Sequence, residues 1–111
     1  MKKSFIILLL LVVGCTKGAE FDRERWLKAD LSGRERANMM ADLIRKHRLY
    51  GMTRAEVVAL LGPPTPTDKW AGSDMVYVLG NDGSYLPIDH AWMTLTLDKQ
   101  ERVVSFKQTV D

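Results

Sequence analysis

The chain has 111 residues, 46% of them hydrophobic, with 16 Lys+Arg against 14 Asp+Glu. That length holds one domain and not two. Arg23, Arg25, Arg34 and Arg36 are interleaved with Asp22, Glu24 and Glu35, which reads as an ordinary solvated face and gives no footprint for nucleic acid.

The chain opens on Met1-Lys2-Lys3, followed by an unbroken apolar run from Phe5 to Val13 and then Gly14-Cys15. A basic start, a short apolar stretch and a small residue before a cut are the parts of a secretory signal, expected over residues 1–14. A membrane-spanning helix needs roughly 20 apolar residues, and this run falls well short before Thr16 and Lys17 follow. Cys15 is the only cysteine, so an internal disulfide is excluded and the residue needs another role. Leu11-Val12-Val13-Gly14-Cys15 resembles the lipobox of bacterial lipoproteins. The resemblance implies diacylglycerol on the Cys15 sulfur, cleavage before Cys15 and, in many bacteria, acylation of the new amine. Lipid on Cys15 would moor the protein to a membrane, since each buried CH₂ contributes about 0.8 kcal/mol and several chains hold where one does not. Thr16, where an Asp would retain such a protein in the inner membrane, implies the periplasmic face of the outer membrane in a Gram-negative cell. Loss of Lys2 and Lys3 with the signal leaves 14 basic against 14 acidic residues in the mature chain.

Residues 15–20 comprise the lipidated cysteine and a tether, Thr16 to Glu20, reaching roughly 17 Å at full extension. A single domain is expected over 21–111. A first, weak helical stretch runs from Phe21 to Leu31, with Phe21, Trp26 and Leu27 as its apolar residues. Ser32 and Glu35 have the spacing of a capping box. Ala37, Met40, Ala41 and Ile44, widened by Leu43, recur with helical period. This second helix is expected to end near Leu49-Tyr50, with Gly51 as its stop. Thr53 and Glu56 form a stronger capping box, with Met52 stapled onto Val57. Val57, Val58, Leu60 and Leu61 bury a face of the third helix, which Gly62 ends and Pro63-Pro64 forbids from continuing.

Met75 to Leu79 is short, apolar and bounded by turn residues, as a strand would be. Trp92 to Leu97 alternates, and so does Arg102 to Val110, with Val104, Phe106 and Val110 expected on one side. The polar turn Asp98-Lys99-Gln100-Glu101 pairs these two as a hairpin. A further short strand would fit at residues 67–70. The fold class expected is α+β: two or three N-terminal helices packed on one face of a three- to four-stranded antiparallel sheet.

Chemistry is sparse. His47 and His90 lie in different elements and lack ligand spacing for zinc, so no metal and no cofactor is expected. Adjacent residues of a strand point to opposite faces, so Asp89 and His90 beside Ser84 would not orient one another as a triad. Asn81-Asp82-Gly83 lacks the spaced carboxylates of a calcium loop and reads as a turn. No catalytic residue and no small-molecule substrate are expected. Trp70 and Tyr85, both on connecting segments, are the candidate partner contacts, because aromatic residues are enriched at binding hot spots.

Gly51-Met52-Thr53, Glu56-Val57, Leu61-Gly62 and Pro64, then Tyr77 and Leu95-Thr96-Leu97-Asp98 leading to Val103, resemble the SmpA/OmlA (BamE-like) family of small bacterial lipoproteins over about residues 48–110. The resemblance implies a β-lactamase-inhibitor-like fold of two helices on a three- or four-stranded sheet. It also implies a non-catalytic binding or scaffold module in the cell envelope, serving outer-membrane protein assembly or envelope integrity. Such a module would bind membrane-protein machinery or lipid through a sheet edge and the 80–89 loop. The alternative from the same fold is an inhibitor or immunity-type lipoprotein that holds a periplasmic enzyme or toxin. Residues 80–89 and the helical stretch over about 21–47 depart from the family pattern.

Overall fold

The computed structural model describes residues 19–86 and 88–111. The expected signal segment, Cys15 and the first part of the expected tether lie outside the described residues, as does Pro87. Three helices, α1 (Arg23–Leu27), α2 (Glu35–Lys46) and α3 (Arg54–Leu61), precede three strands, β1 (Met75–Asn81), β2 (His90–Leu97) and β3 (Val103–Val110). The strands form one antiparallel sheet in the order β1-β2-β3. The fold is therefore α+β, as the sequence indicates. Residues 67–70 form bends and turns and no strand. Among the described residues, no helix is long and apolar enough to cross a membrane.

The start of α3 follows the local sequence. The Glu56 amide donates to Thr53 Oγ1 at 3.1 Å and the Thr53 amide donates to Glu56 Oε1 at 2.9 Å, so two otherwise orphaned N–H groups are satisfied reciprocally. The exit is more unusual. Three carbonyls near the C-terminus of α3 accept side-chain donors from elsewhere: Ala59 from Arg23 Nε at 2.6 Å, Leu61 from Trp26 Nε1 at 3.1 Å and Gly62 from the Tyr77 hydroxyl at 2.8 Å. Two of those donors come from α1 and one from β1, so the helix end is the knot that joins helices to sheet.

Three expectations about α2 are corrected. Ser32 does not cap it; its hydroxyl and amide both donate to Asp30 Oδ1, while Glu35 Oε1 accepts the Asp30 amide. A nearer carboxylate has captured the serine, and Arg34 stands at the cap position with no side-chain bond. The buried residues are Met39, Met40 and Leu43, whereas Ala41 and Ile44 face solvent. Met40 and Leu43 of the expected stripe are buried, and Met39 replaces Ala41 and Ile44 because the face that docks on the sheet is turned toward it. The helix also ends at Lys46, so Leu49 reaches the core from the chain reversal that follows, in which Gly51 has φ +87°.

The first residues are held by Asp42, whose carboxylate accepts the Phe21 amide at 2.7 Å and pairs with Lys46 and Arg45. The Phe21 amide first, with the two cations adding, draws its pKa down to about 2. A carboxyl depressed on folding stabilises the fold above its unfolded value, near 3.8, and that contribution is lost as pH falls toward 2. We expect the thermal midpoint to drop between pH 4 and pH 2, and Asp42→Asn to flatten that part of the profile. Midpoints measured by circular dichroism across this range decide it; a variant profile parallel to the wild type would refute the assignment.

The sheet buries both faces unequally. Met75, Tyr77, Leu79, Met93 and Leu95 join Trp26, Met39, Met40, Leu43, Val57 and Leu61 in the main core. Val76, Val78 and Trp92 lie on the opposite face. In β3 the expected side pattern changes. Thr96 pairs with Ser105 but Leu97 pairs with Val103, so Val104 is the extra residue of a bulge. Val103 enters the core, and Val104, expected beside Phe106, is left half exposed.

Candidate binding surface

After Pro63-Pro64 the chain runs along β1 and then folds over the sheet face that the helices leave free. Trp70 packs there against Val76, Val78 and Trp92, its ring 6.4 Å from that of Trp92. A groove of about 460 Å³ opens between this segment and the sheet, lined by Trp70, Thr94, Thr96, Ser105, Lys69 and Lys107. Its floor is hydroxyl-rich because these are the outward positions of β2 and β3. Lys69 is paired with Asp111 at 3.1 Å, and Asp111 also accepts the His90 amide at 2.7 Å. That amide first, then Lys69, holds the Asp111 carboxyl down to about 2. The indole N–H of Trp70 is buried without a hydrogen-bond partner among the described residues.

The β1–β2 connection presents a different surface. Tyr85 is 96% exposed, Leu86 72% and Ile88 84%, an apolar tip on an ordered base. That base is Asn81, whose amide donates to Gly33 O at 2.9 Å and whose side chain donates to Ser32 O at 3.0 Å. Gly83 (φ +80°) donates its amide to Asn81 Oδ1, so Asn81-Asp82-Gly83 is the tight turn its composition indicates. Ser84 gives both amide and hydroxyl to Asp82, which lowers the Asp82 pKa. The Ser84 hydroxyl is therefore engaged away from His90, whose ring lies edge-on to Trp92 at 6.2 Å. Among the described residues, no group of three or more His, Cys, Asp or Glu could hold a metal ion.

The two candidate contacts are thus not gathered into one patch. Trp70 is a wall of the groove and mostly covered, whereas Tyr85 stands free on the loop. By its charge pattern Arg36 belongs to a solvated face. It is half-buried: Nε donates to Trp26 O at 2.9 Å, Nη1 donates to Val78 O at 3.1 Å, and the guanidinium lies 4.8 Å from the centre of the Trp26 ring. Burial lowers its pKa, and burial likewise pushes the Tyr77 hydroxyl up to about 12. Nothing in the local sequence distinguishes Arg36 from Arg34 or Arg25; its role exists only once α1, α2 and β1 meet.

The two edges of the sheet differ. The β1 edge is largely covered: Thr65 donates its amide to Val76 O at 2.7 Å, its Oγ1 accepts the Val78 amide at 3.0 Å, Arg36 takes Val78 O, and Gly33 O takes the Asn81 amide. The β3 edge is closed only at its start, where Val103 exchanges bonds with Gly51 and Met52 at 2.9 and 2.8 Å.

No curated protein and no solved structure matches the chain. A family match does exist, to the outer membrane protein assembly factor BamE domain, over residues 45–107. The matched region begins in the last turn of α2 and takes in α3, the groove segment, the Tyr85 loop and most of β3, leaving α1 and the rest of α2 outside. With more than half of its length matched, including α3, β1, β2 and most of β3, the chain belongs to the BamE family of outer membrane protein assembly factor domains.

Proposed function

We propose that the protein is a lipid-anchored, non-catalytic binding module of the cell envelope that serves outer-membrane protein assembly. The match of residues 45–107 to an assembly factor domain carries this reading. The lipobox-like Leu11-Val12-Val13-Gly14-Cys15 supports anchoring by lipid on Cys15, with residues 1–14 removed and 15–20 serving as a tether to a domain over 21–111. Thr16 after that cysteine favours the periplasmic face of the outer membrane in a Gram-negative cell. The partner is a protein of the envelope machinery, with Tyr85 as a free contact and Trp70 acting through the groove it walls. No cofactor and no small-molecule substrate enter this reading.

The test is affinity capture with a C-terminal tag from envelopes dissolved in mild detergent, beside Cys15→Ala and Tyr85→Ala. Components of the β-barrel assembly machinery should be recovered with the native chain, be lost with Cys15→Ala, and fall with Tyr85→Ala at unchanged stability, since Tyr85 buries almost nothing. Recovery of one soluble periplasmic hydrolase, equally with and without Cys15, would overturn this reading in favour of an inhibitor.

A further inference from the structure

We propose that the open edge of β3 takes up an extended, acidic segment of another protein by strand addition. This deepens the binding-module reading and rests on it for the presence of a protein partner. It does so by naming the surface and the partner's chemistry.

The argument starts from main-chain bonding. In an antiparallel ladder, alternate residues direct both their N–H and C=O to one neighbour. The Asp111 amide donates to His90 O, and Thr109, Lys107 and Ser105 share that direction toward β2. Phe106, Gln108 and Val110 therefore direct their N–H and C=O away from the sheet. Among the described residues, none of these six groups has a hydrogen-bond partner, whereas on β1 the Val76 carbonyl, the Val78 amide and carbonyl and the Asn81 amide are covered by Thr65, Arg36 and Gly33. One edge is largely covered and the other is offered.

The side chains beside the open edge give the incoming strand its character. On the helix side stand Tyr50 and Phe106, rings 4.9 Å apart, with Tyr50 51% exposed. On the other side lies the groove, with Ser105 and Lys107 along its margin. An added strand would place alternate side chains on these two surfaces. Lys69, the other groove lysine, is already matched by Asp111, but among the described residues no carboxylate lies within ion-pair distance of Lys107. An acidic residue opposite Lys107 completes that position.

Charge also disfavours a second copy as the occupant. The longest two-fold self-pairing, over residues 104–110, centres on Lys107 and sets two lysines directly opposite, which is destabilising. A lysine in mid-edge and a bulge at Val104 are devices that discourage self-association of open strands. They leave the edge available to a strand of opposite charge.

The test uses the full-length lipidated protein in detergent micelles, ¹⁵N-labelled, with two blocked heptapeptides of alternating Thr and Val carrying a central Glu or a central Lys. The Glu peptide should slow hydrogen exchange at the Phe106, Gln108 and Val110 amides, and bind about tenfold tighter than the Lys peptide. Lys107→Glu should reverse that preference, a result loss of folding cannot produce. Gln108→Pro removes an outward N–H that the sheet does not use, and should weaken the Glu peptide about tenfold. No protection of the three amides by the Glu peptide, a preference indifferent to Lys107→Glu, or protection that rises with protein concentration alone would overturn the proposal. Because the measurement involves no envelope machinery, its failure leaves the affinity capture standing, and failure of that capture leaves this result readable.

Discussion

Trp26→Ala should destabilise the protein by about 4 kcal/mol, within the 3–5 expected for deleting a large buried aromatic. Trp26 is fully buried, packs against Phe21 and Tyr77, and lies under the Arg36 guanidinium. Its indole N–H also satisfies Leu61 O at the buried end of α3, so truncation leaves both a cavity and an unsatisfied carbonyl. Native domains are stable by only about 5–15 kcal/mol, and a loss of this size brings a small one close to unfolding. Trp26→Phe keeps most of the volume and loses the donor, so it should cost about 1–3 kcal/mol. Urea unfolding of the three proteins, followed by circular dichroism, separates the two contributions. The result bears on the domain boundary, because α1 lies outside the family-matched residues. A cost below about 1 kcal/mol for Trp26→Ala would be that of a surface change, and would mean that α1 is an ornament on the family core.

Gly80→Ala is expected to cost about 3 kcal/mol, the upper range for a strained backbone position. Gly80 has φ +129°, and a Cβ there would lie 2.1 Å from Gly33 O and 3.2 Å from Arg34 Cα. Those neighbours are backbone, so the 30–34 turn must move away from β1. That motion breaks the Asn81 amide bond to Gly33 O and the Asn81 side-chain bond to Ser32 O. The base of the Tyr85 loop would loosen with it. Gly62→Ala is the informative contrast. It also has positive φ, +82°, but its added Cβ would meet only Leu27 Cδ2 at 2.6 Å, an exposed side chain that can rotate aside. Its cost should be about 1–2 kcal/mol. Denaturation midpoints rank the pair, and hydrogen exchange at the Asn81 amide should accelerate in Gly80→Ala alone. Equal costs would mean that the close approach of Gly33 to β1 contributes nothing.

Both substitutions act at joints between segments distant in sequence, and there the limits of sequence reading are plainest. The sequence by itself determined whatever is decided within a few residues. Thr53 and Glu56 are three apart, so their reciprocal bonds need no other part of the chain. Gly62 with Pro63-Pro64 ends α3 by backbone geometry alone. A short apolar run between turn residues identified β1, alternation identified β2 and β3, and the turn at 98–101 paired those two. The exposure of Tyr85 follows from a polar, turn-rich connection. The tertiary structure decided everything that required a choice between equivalent local solutions. Two stripes of α2 satisfy the helical period, and docking against β1 selects Met39, Met40 and Leu43. Two side patterns are open to β3, and the bulge at Val104, set by pairing with β2, selects Val103 for the core. Four arginines look alike in sequence, and only Arg36 arrives where the Trp26 and Val78 carbonyls need a donor. Trp70 reads as a loop aromatic until the segment after α3 folds over the sheet and makes it the wall of a groove. The largely covered β1 edge and the open β3 edge have no local signature. Each main-chain group of a strand is satisfied or left free by what lies beside it, and only the assembled sheet places those neighbours.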